Sequence, residues 1–420
     1  MALETPWISK ISKYMKKELA ELKKLLSVKQ GRINSMLELT KAVNSNFSKS
    51  GLLKLLEFIL IDQFKFRKFA LFVFNQNWLM EINEGNVEVA NNLNVETDLI
   101  KFQVIQDVRR YPTELYKGFD FIIPLVHNKS PLAYLLVGDV QLGPLESIDD
   151  NIRFIETLGS FIIVSLENKR LFKAQLEQER INKEVELASQ VQKMLIPSEL
   201  PSNEYLSVAG YYRPHGGIGG DYYDFIMLDD NTVAFCVCDV SGKGISAGML
   251  MANFQAQLRS LLNKYDSLEQ LVDHLNHKLF EITKGERYIT MFLGLYNVNN
   301  KKLRYISAGH NPTLLYSNGE IIALDSGCTI LGAFHSLPKI VPGELVLGDD
   351  AIVLCYTDGL TELENDNGEQ FGMGKLKQFL FENADLDVNE ILEKLKEEME
   401  EFRGDSNYND DVSVLLSRFF

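Results

Sequence analysis

Cysteine is scarce: four thiols, Cys236, Cys238, Cys328 and Cys355, in 420 residues. All four lie in or beside apolar segments without zinc-like spacing, so neither a disulfide framework nor a thiolate metal centre is expected. Positive charge is also short. Lys and Arg number 43 against 58 Asp and Glu, a net charge of -15. That argues against a nucleic-acid partner, because phosphate backbones are bound by a basic footprint. No apolar run is long enough to span a membrane, and no charged-then-apolar leader with a small-residue cleavage site opens the chain. The expectation is a cytoplasmic protein whose thiols are core residues. What the chain does have is hydrophobic content, 45% of residues, enough for two or three separate cores at this length.

Periodicity divides the chain into four parts. Residues 1–30 form an amphipathic helix with Ile8, Ile11, Met15, Leu19, Leu22 and Leu26 on one side and a lysine-rich face opposite. A basic amphipathic helix can lie on an anionic membrane, but packing on a partner helix or on the next domain is the simpler reading. Residues 31–168 read as two helices (36–47 and 52–64), strands at 68–74, 78–82, 119–126 and 133–140, and a closing helix at 149–166. Residues 169–200 are a connecting helix. Leu171, Gln178, Val185 and Gln192 share one heptad position, and Ala174, Ile181, Ala188 and Leu195 the other. Such a seam with polar interruptions predicts a parallel dimer stalk about 45 Å long, ended by Pro197 and Pro201. Residues 201–420 alternate strands and helices, with a hairpin turn at Asn318-Gly319. The fold class is α+β and multidomain, the last part being two packed sheets flanked by helices.

The chemistry concentrates at strand ends. Gly219-Gly220-Asp221-Tyr222-Tyr223-Asp224 follows a Pro/Gly-rich run, and Val233-Ala234-Phe235-Cys236-Val237-Cys238 ends on Asp239. Residues 351–357 run into Asp358-Gly359, and Asn409-Asp410-Asp411 opens onto 412–416. A non-alternating apolar run reads as a strand buried on both faces, where a terminal charge is costly unless paired or metal-bound. Several such carboxylates without an excess of His or Cys point to a hard cation. Taken singly each has a plainer explanation. Asp221 and Asp224 can cap a turn, Asp358-Gly359 can be a turn, and Asp411 can be a solvated neighbour or a support for Asp410. His310, in a Gly-His-Asn-Pro turn, reads as structural rather than as a general acid. Lys243 lies between glycines, yet the Walker pattern is not met.

Residues 185–418 resemble the metal-dependent phosphatases of the protein phosphatase 2C class in their bacterial SpoIIE-like branch. The resemblance is carried by Gly219-Gly220-Asp221-x-x-Asp224, Asp239-x-Ser241-Gly242-x-Gly244, Ala308-Gly309-His310-Asn311-Pro312, Thr357-Asp358-Gly359-x-Thr361-Glu362, Phe371-Gly372 and Asn409-Asp410-Asp411-x-Ser413. It implies an α-β-β-α sandwich and a site for two Mn²⁺ or Mg²⁺ ions. Asp239 would bridge the ions, the Val240 carbonyl would face the first, and Asp358 and Asp410 would hold the second. Asp221 would orient the attacking water. The substrate it implies is phosphoserine or phosphothreonine on a partner protein, a STAS-domain anti-anti-sigma factor. Arg213 is the nearest counterpart of the phosphate-gripping arginine of eukaryotic members, although its spacing to Asp221 is longer. Asp224, Gly242 and Asp411 are the other candidates for substrate contact or ligand support. Residues 31–168 resemble a GAF sensor domain, which implies a small-molecule or protein signal passed through the stalk. Two rivals stand beside this reading: a degenerate phosphatase fold acting as a scaffold, and a diguanylate cyclase, whose Gly-Gly-Asp signature lacks here its following Glu-Phe.

Overall fold

Contacts within the chain divide it into two units, Met1–Gln178 and Glu179–Phe420. The structure, a computed structural model, describes residues 6–85, 88–111, 113–140, 147–265 and 267–420, without the side chains of residues 6–9 and 11. Residues 1–5 and the side chains of Ile8 and Ile11, which open the expected amphipathic helix, lie outside the described residues.

In the first unit α1 (Pro6–Asn44) and α2 (Lys49–Asp62) are separated where Ser48 caps α2, its side chain accepting from the Gly51 amide. Strands β1 (Lys68–Asn75), β2 (Asn77–Glu84), β3 (Gln106–Asp107), β4 (Phe121–His127) and β5 (Ser130–Gly138) form an antiparallel sheet in the order β2-β1-β5-β4-β3. The strands alternate sides. Phe69, Leu71, Ile123 and Leu135 pack with Leu52, Leu56, Ile155 and Ile162, while Ala70, Phe72, Ile122 and Tyr134 pack with the short helix α3 (Glu88–Asn92) and the turns after it. The long helix α4 (Ile148–Lys193) runs without interruption from this unit into the next. Met15, Leu19, Leu22 and Leu26 of α1 are all exposed.

The second unit is a sandwich. One sheet contains β7 (Tyr222–Met227), β8 (Thr232–Val240), β9 (Ile289–Asn297), β10 (Lys302–Ala308), the two-residue β13 (Gly327–Cys328) and β14 (Gly343–Val346). The other contains β6 (Leu206–Arg213), β11 (Thr313–Ser317), β12 (Glu320–Leu324), β15 (Ala351–Tyr356) and β16 (Val412–Phe419), ordered β12-β11-β15-β16-β6. All pairings are antiparallel except β10 with β13. Phe235, Phe292 and Phe419 meet between the sheets, with ring centroids about 6 Å apart. Helices α5 (Ile245–Leu261) and α6 (Leu268–Thr283) bury Met251, Phe254, Leu271 and Leu275 in the core shared with the first sheet. On the far side α8 (Gly372–Asn383) and α9 (Val388–Arg403) cover Ile352, Leu354, Val414 and Leu416. The unbroken apolar runs of β15 and β16 thus have helices on one face and the opposing sheet on the other, which is why neither alternates. At α9 Asp387 and Glu390 form a reciprocal capping box.

Candidate metal centre

Four chain segments meet at one edge of the sandwich. Strand β7 begins at Tyr222 and β8 ends at Val240, with Tyr222 opposite Cys238, so Asp221 and Asp239 share an edge. Strand β15 ends at Tyr356 and β16 begins at Val412, with Tyr356 opposite Val414, so Asp358, at the start of the one-turn helix α7 (Asp358–Thr361), lies beside Asp410 and Asp411. Hydrogen bonds join the two edges. Thr357 Oγ1 donates to Asp221 at 2.7 Å and accepts from the Ser413 amide at 2.9 Å. Asp411 accepts from the amides of His215 and Gly220 at 2.7 and 2.6 Å. Gly359 lets α7 approach, because a Cβ there would sit 2.0 Å from the Asp411 carbonyl oxygen.

The carboxylates raise one another's affinity for protons. Burial, and then the charges of Asp358, Asp410 and Asp411, push the Asp239 carboxyl up to about 7. Asp221 is raised well above the usual carboxylate range, first by burial and then by the charge of Asp239, against the pull of the Thr357 hydroxyl. Asp358 is raised by burial and by Glu362 and Asp410. Lys243 opposes this charge: its Nζ lies 2.9 Å from Asp410 Oδ2 and donates to the Asn409 carbonyl at 2.6 Å. The donors are all oxygen and their mutual repulsion needs positive charge, which fits a hard divalent ion in type and charge. Among the described residues no group of three or more His, Cys, Asp or Glu side chains is drawn together around a single point.

The other candidates are placed elsewhere. Asp224 is fully buried and takes a two-pronged ion pair from Arg259 of α5 at 2.6 and 2.7 Å, plus the Tyr222 hydroxyl. It fastens α5 to β7. Arg213 pairs with Glu400 at 3.1 Å and lies 4.0 Å over the Tyr408 ring, so its guanidinium is committed to α9 and the loop after it. Asp411 is buried rather than solvated, because it locks the 215–220 turn against β16. Gly242 has φ +96°, and a Cβ there would meet the Arg287 guanidinium. Cys236 and Cys238 are buried core residues. His310 is buried, and its Nδ1 meets Thr290 Oγ1 at 2.8 Å.

Three residues that position this edge escape sequence reasoning. Thr357 stands in the Thr357-Asp358-Gly359 motif without a role of its own, and Arg259 reads as one charge on a helix. Gln192 reads as a seam residue by its seven-residue spacing. Instead its amide nitrogen donates to the Gly219 carbonyl at 2.6 Å and its amide oxygen accepts from the Gly219 amide at 3.1 Å. The Ser189 hydroxyl likewise donates to the Gly217 carbonyl.

The model of the family described as Stage II sporulation protein E (SpoIIE) matches residues 229–420, a span that holds Asp239, Asp358 and Asp410 but not Asp221. The phosphoserine phosphatase RsbU of Bacillus subtilis is 27% identical over 244 residues, 57% of this chain and 71% of RsbU. The phosphoserine phosphatase RsbP of the same organism is 27% identical over 186 residues, 43% of this chain and 45% of RsbP. Among solved structures the SiaA-PP2C domain of Pseudomonas aeruginosa superposes with a TM-score of 0.52 at 18% identity, covering 58% of this chain and 98% of that domain. Such a likeness carries the fold alone, and the fold is the antiparallel sandwich described above. With its strand order and its acidic edge, residues 229–420 of this chain match the SpoIIE family, and the chain is similar to the phosphoserine phosphatases RsbU and RsbP.

Proposed function

We propose that the chain is a metal-dependent phosphatase acting on phosphoserine or phosphothreonine of a partner protein, with a STAS-domain anti-anti-sigma factor as the substrate class. One observation carries this reading: Asp221, Asp239, Asp358 and Asp410 come from four strand ends spread over 190 positions and reach one edge of the sandwich. Asp239, the Val240 carbonyl, Asp358 and Asp410 would hold the ions, with Asp239 the candidate for a shared ligand. Mg²⁺ or Mn²⁺, when bound, supplies a water acidified toward neutral pH and positive charge against the phosphoryl oxygens. The chain's own part is positional. Thr357 fixes the direction of the Asp221 carboxylate, and the His215 and Gly220 amides hold Asp411 and, through it, the turn that carries Asp221.

Upstream, a GAF-like sensor and a dimeric stalk would set the activity. The sensor reading is supported by the five-stranded antiparallel sheet and by a cavity of about 560 Å³, lined by Phe47, Val73, Phe74, Leu132 and Ile163 with Lys49 and Arg170 among its walls. Apolar walls with a few charged groups suit a small amphipathic signal. The stalk reading is supported by Leu171 and Ile181, which are solvent-exposed in the single chain.

The test is phosphate release from p-nitrophenyl phosphate and from a phosphoserine protein with Mn²⁺. Asp239→Asn is expected to lower the rate at least roughly a hundredfold, the scale of losing one charge-stabilising group. The rival reading is the scaffold, in which the Lys243 ammonium keeps Asp410 occupied. Binding of the phosphoprotein without hydrolysis under any divalent ion would establish that reading instead.

A further inference from the structure

Lys243 is the residue that the phosphatase reading leaves without a task. It sits in a reversal between Gly242 (φ +96°) and Gly244 (φ +73°), immediately before α5. A positive charge at a helix N-terminus opposes the helix dipole, so helix stability does not account for it. The reversal instead carries its ammonium across to the 409–410 turn, 166 positions downstream, where it takes both the Asn409 carbonyl and the Asp410 carboxylate. Asp410 is one of the proposed ligands, so the lysine holds a carboxylate that an ion would need.

We propose that Lys243 is a tethered cation that occupies Asp410 in place of a divalent ion, so that metal must displace it to complete the site. This rests on the phosphatase reading of the acidic edge. The physical basis is competition. A half-exposed ammonium compensates the acidic edge enough to keep the metal-free fold intact, and it weakens metal binding by the energy of the pair that has to break. An exposed pair contributes modestly, and the displaced ammonium remains close enough to repel the incoming ion. The lysine thereby sets the free-metal concentration at which the site fills.

The test is calorimetric titration of the full chain with Mn²⁺, with no substrate present. Lys243→Gln is expected to bind roughly five- to tenfold more tightly than the parent, a shift that follows from losing the pair and the repulsion. Lys243→Arg, which keeps the charge, is expected to stay within about twofold of the parent. Arg287→Gln is the control for a general field effect. Its guanidinium donates to the Ser241 carbonyl at 2.9 Å on the same loop, and among the described residues it makes no ion pair with a site carboxylate. Tightening by Lys243→Gln alone supports the proposal. Equal tightening by Arg287→Gln, or none by Lys243→Gln while Asp239→Asn still abolishes binding, overturns it and leaves the metal reading standing. No Mn²⁺ binding by any variant, the parent included, overturns both. Lys243→Gln failing to fold while Lys243→Arg folds and binds more weakly than the parent would also count against it, since the lysine would then be structural.

Discussion

His310 Nδ1 and Thr290 Oγ1 are 2.8 Å apart, and Thr290 pairs across the strands with Asp239. The imidazole therefore lies one residue behind the acidic edge, where burial lowers its pKa to about 4. A histidine held below its ordinary 6.5 favours the neutral form in the fold, so the unfolded chain takes up the proton first as pH falls. Its contribution is complete above pH 6.5 and is lost between 6.5 and 4, by at most roughly 3 kcal/mol at one decade per 1.36 kcal/mol. Urea unfolding of the parent and of His310→Gln across that range checks this: the difference between them is expected to shrink as the solution is acidified. His310 in the turn Gly309-His310-Asn311-Pro312 reads in the sequence as structural, and the ring is buried. What the turn does not reveal is that its ring reaches the neighbour of a ligand strand, because that contact is set by pairing in the folded sheet.

At the scale of elements, the end of α4 matters most. Gln192 and Ser189 hold the backbone of Gly219 and Gly217, just before Asp221. Gln192→Leu would leave two buried backbone groups unpaired, at a cost of about 1–3 kcal/mol each. The expected outcome is faster amide exchange at Gly219 and a lower phosphatase rate, with dimerisation unchanged. A tighter dimer and normal exchange would instead return Gln192 to the stalk seam, where its heptad position places it. The strands that carry the carboxylates were legible in the sequence, since runs such as 233–238 and 351–356 are apolar without alternation and lead within two residues to Asp239 and Asp358. The hairpin at Asn318-Gly319 was legible too, and both residues adopt positive φ. The clamp from α4 was not, because heptad spacing describes which residues share a helix face and is silent about what that face meets. Arg213 and Asp224 were misplaced for the same reason. Their partners, Glu400 and Arg259, are distant in the chain and become neighbours only when helices pack on the sheets.

For the whole molecule, between residues 171 and 188 the surface of α4 is exposed almost throughout, including Leu171 and Ile181. An uncovered apolar seam on a long helix is the usual mark of a second helix. Leu171→Glu combined with Ile181→Glu is expected to turn a dimer into a monomer in sedimentation equilibrium and to uncouple the phosphatase rate from any signal at the first unit. An unchanged mass would remove the dimeric stalk from the account. Strand β16 has a different consequence for the molecule. It is flanked by β15 and β6, and the residues just before it supply Asp410 and Asp411. During synthesis it emerges after every other strand of its sandwich. A chain interrupted before residue 410 keeps Asp221, Asp239 and Asp358 but lacks Asp410, Asp411 and the strand that joins β15 to β6, so the acidic edge and the second sheet stay incomplete together.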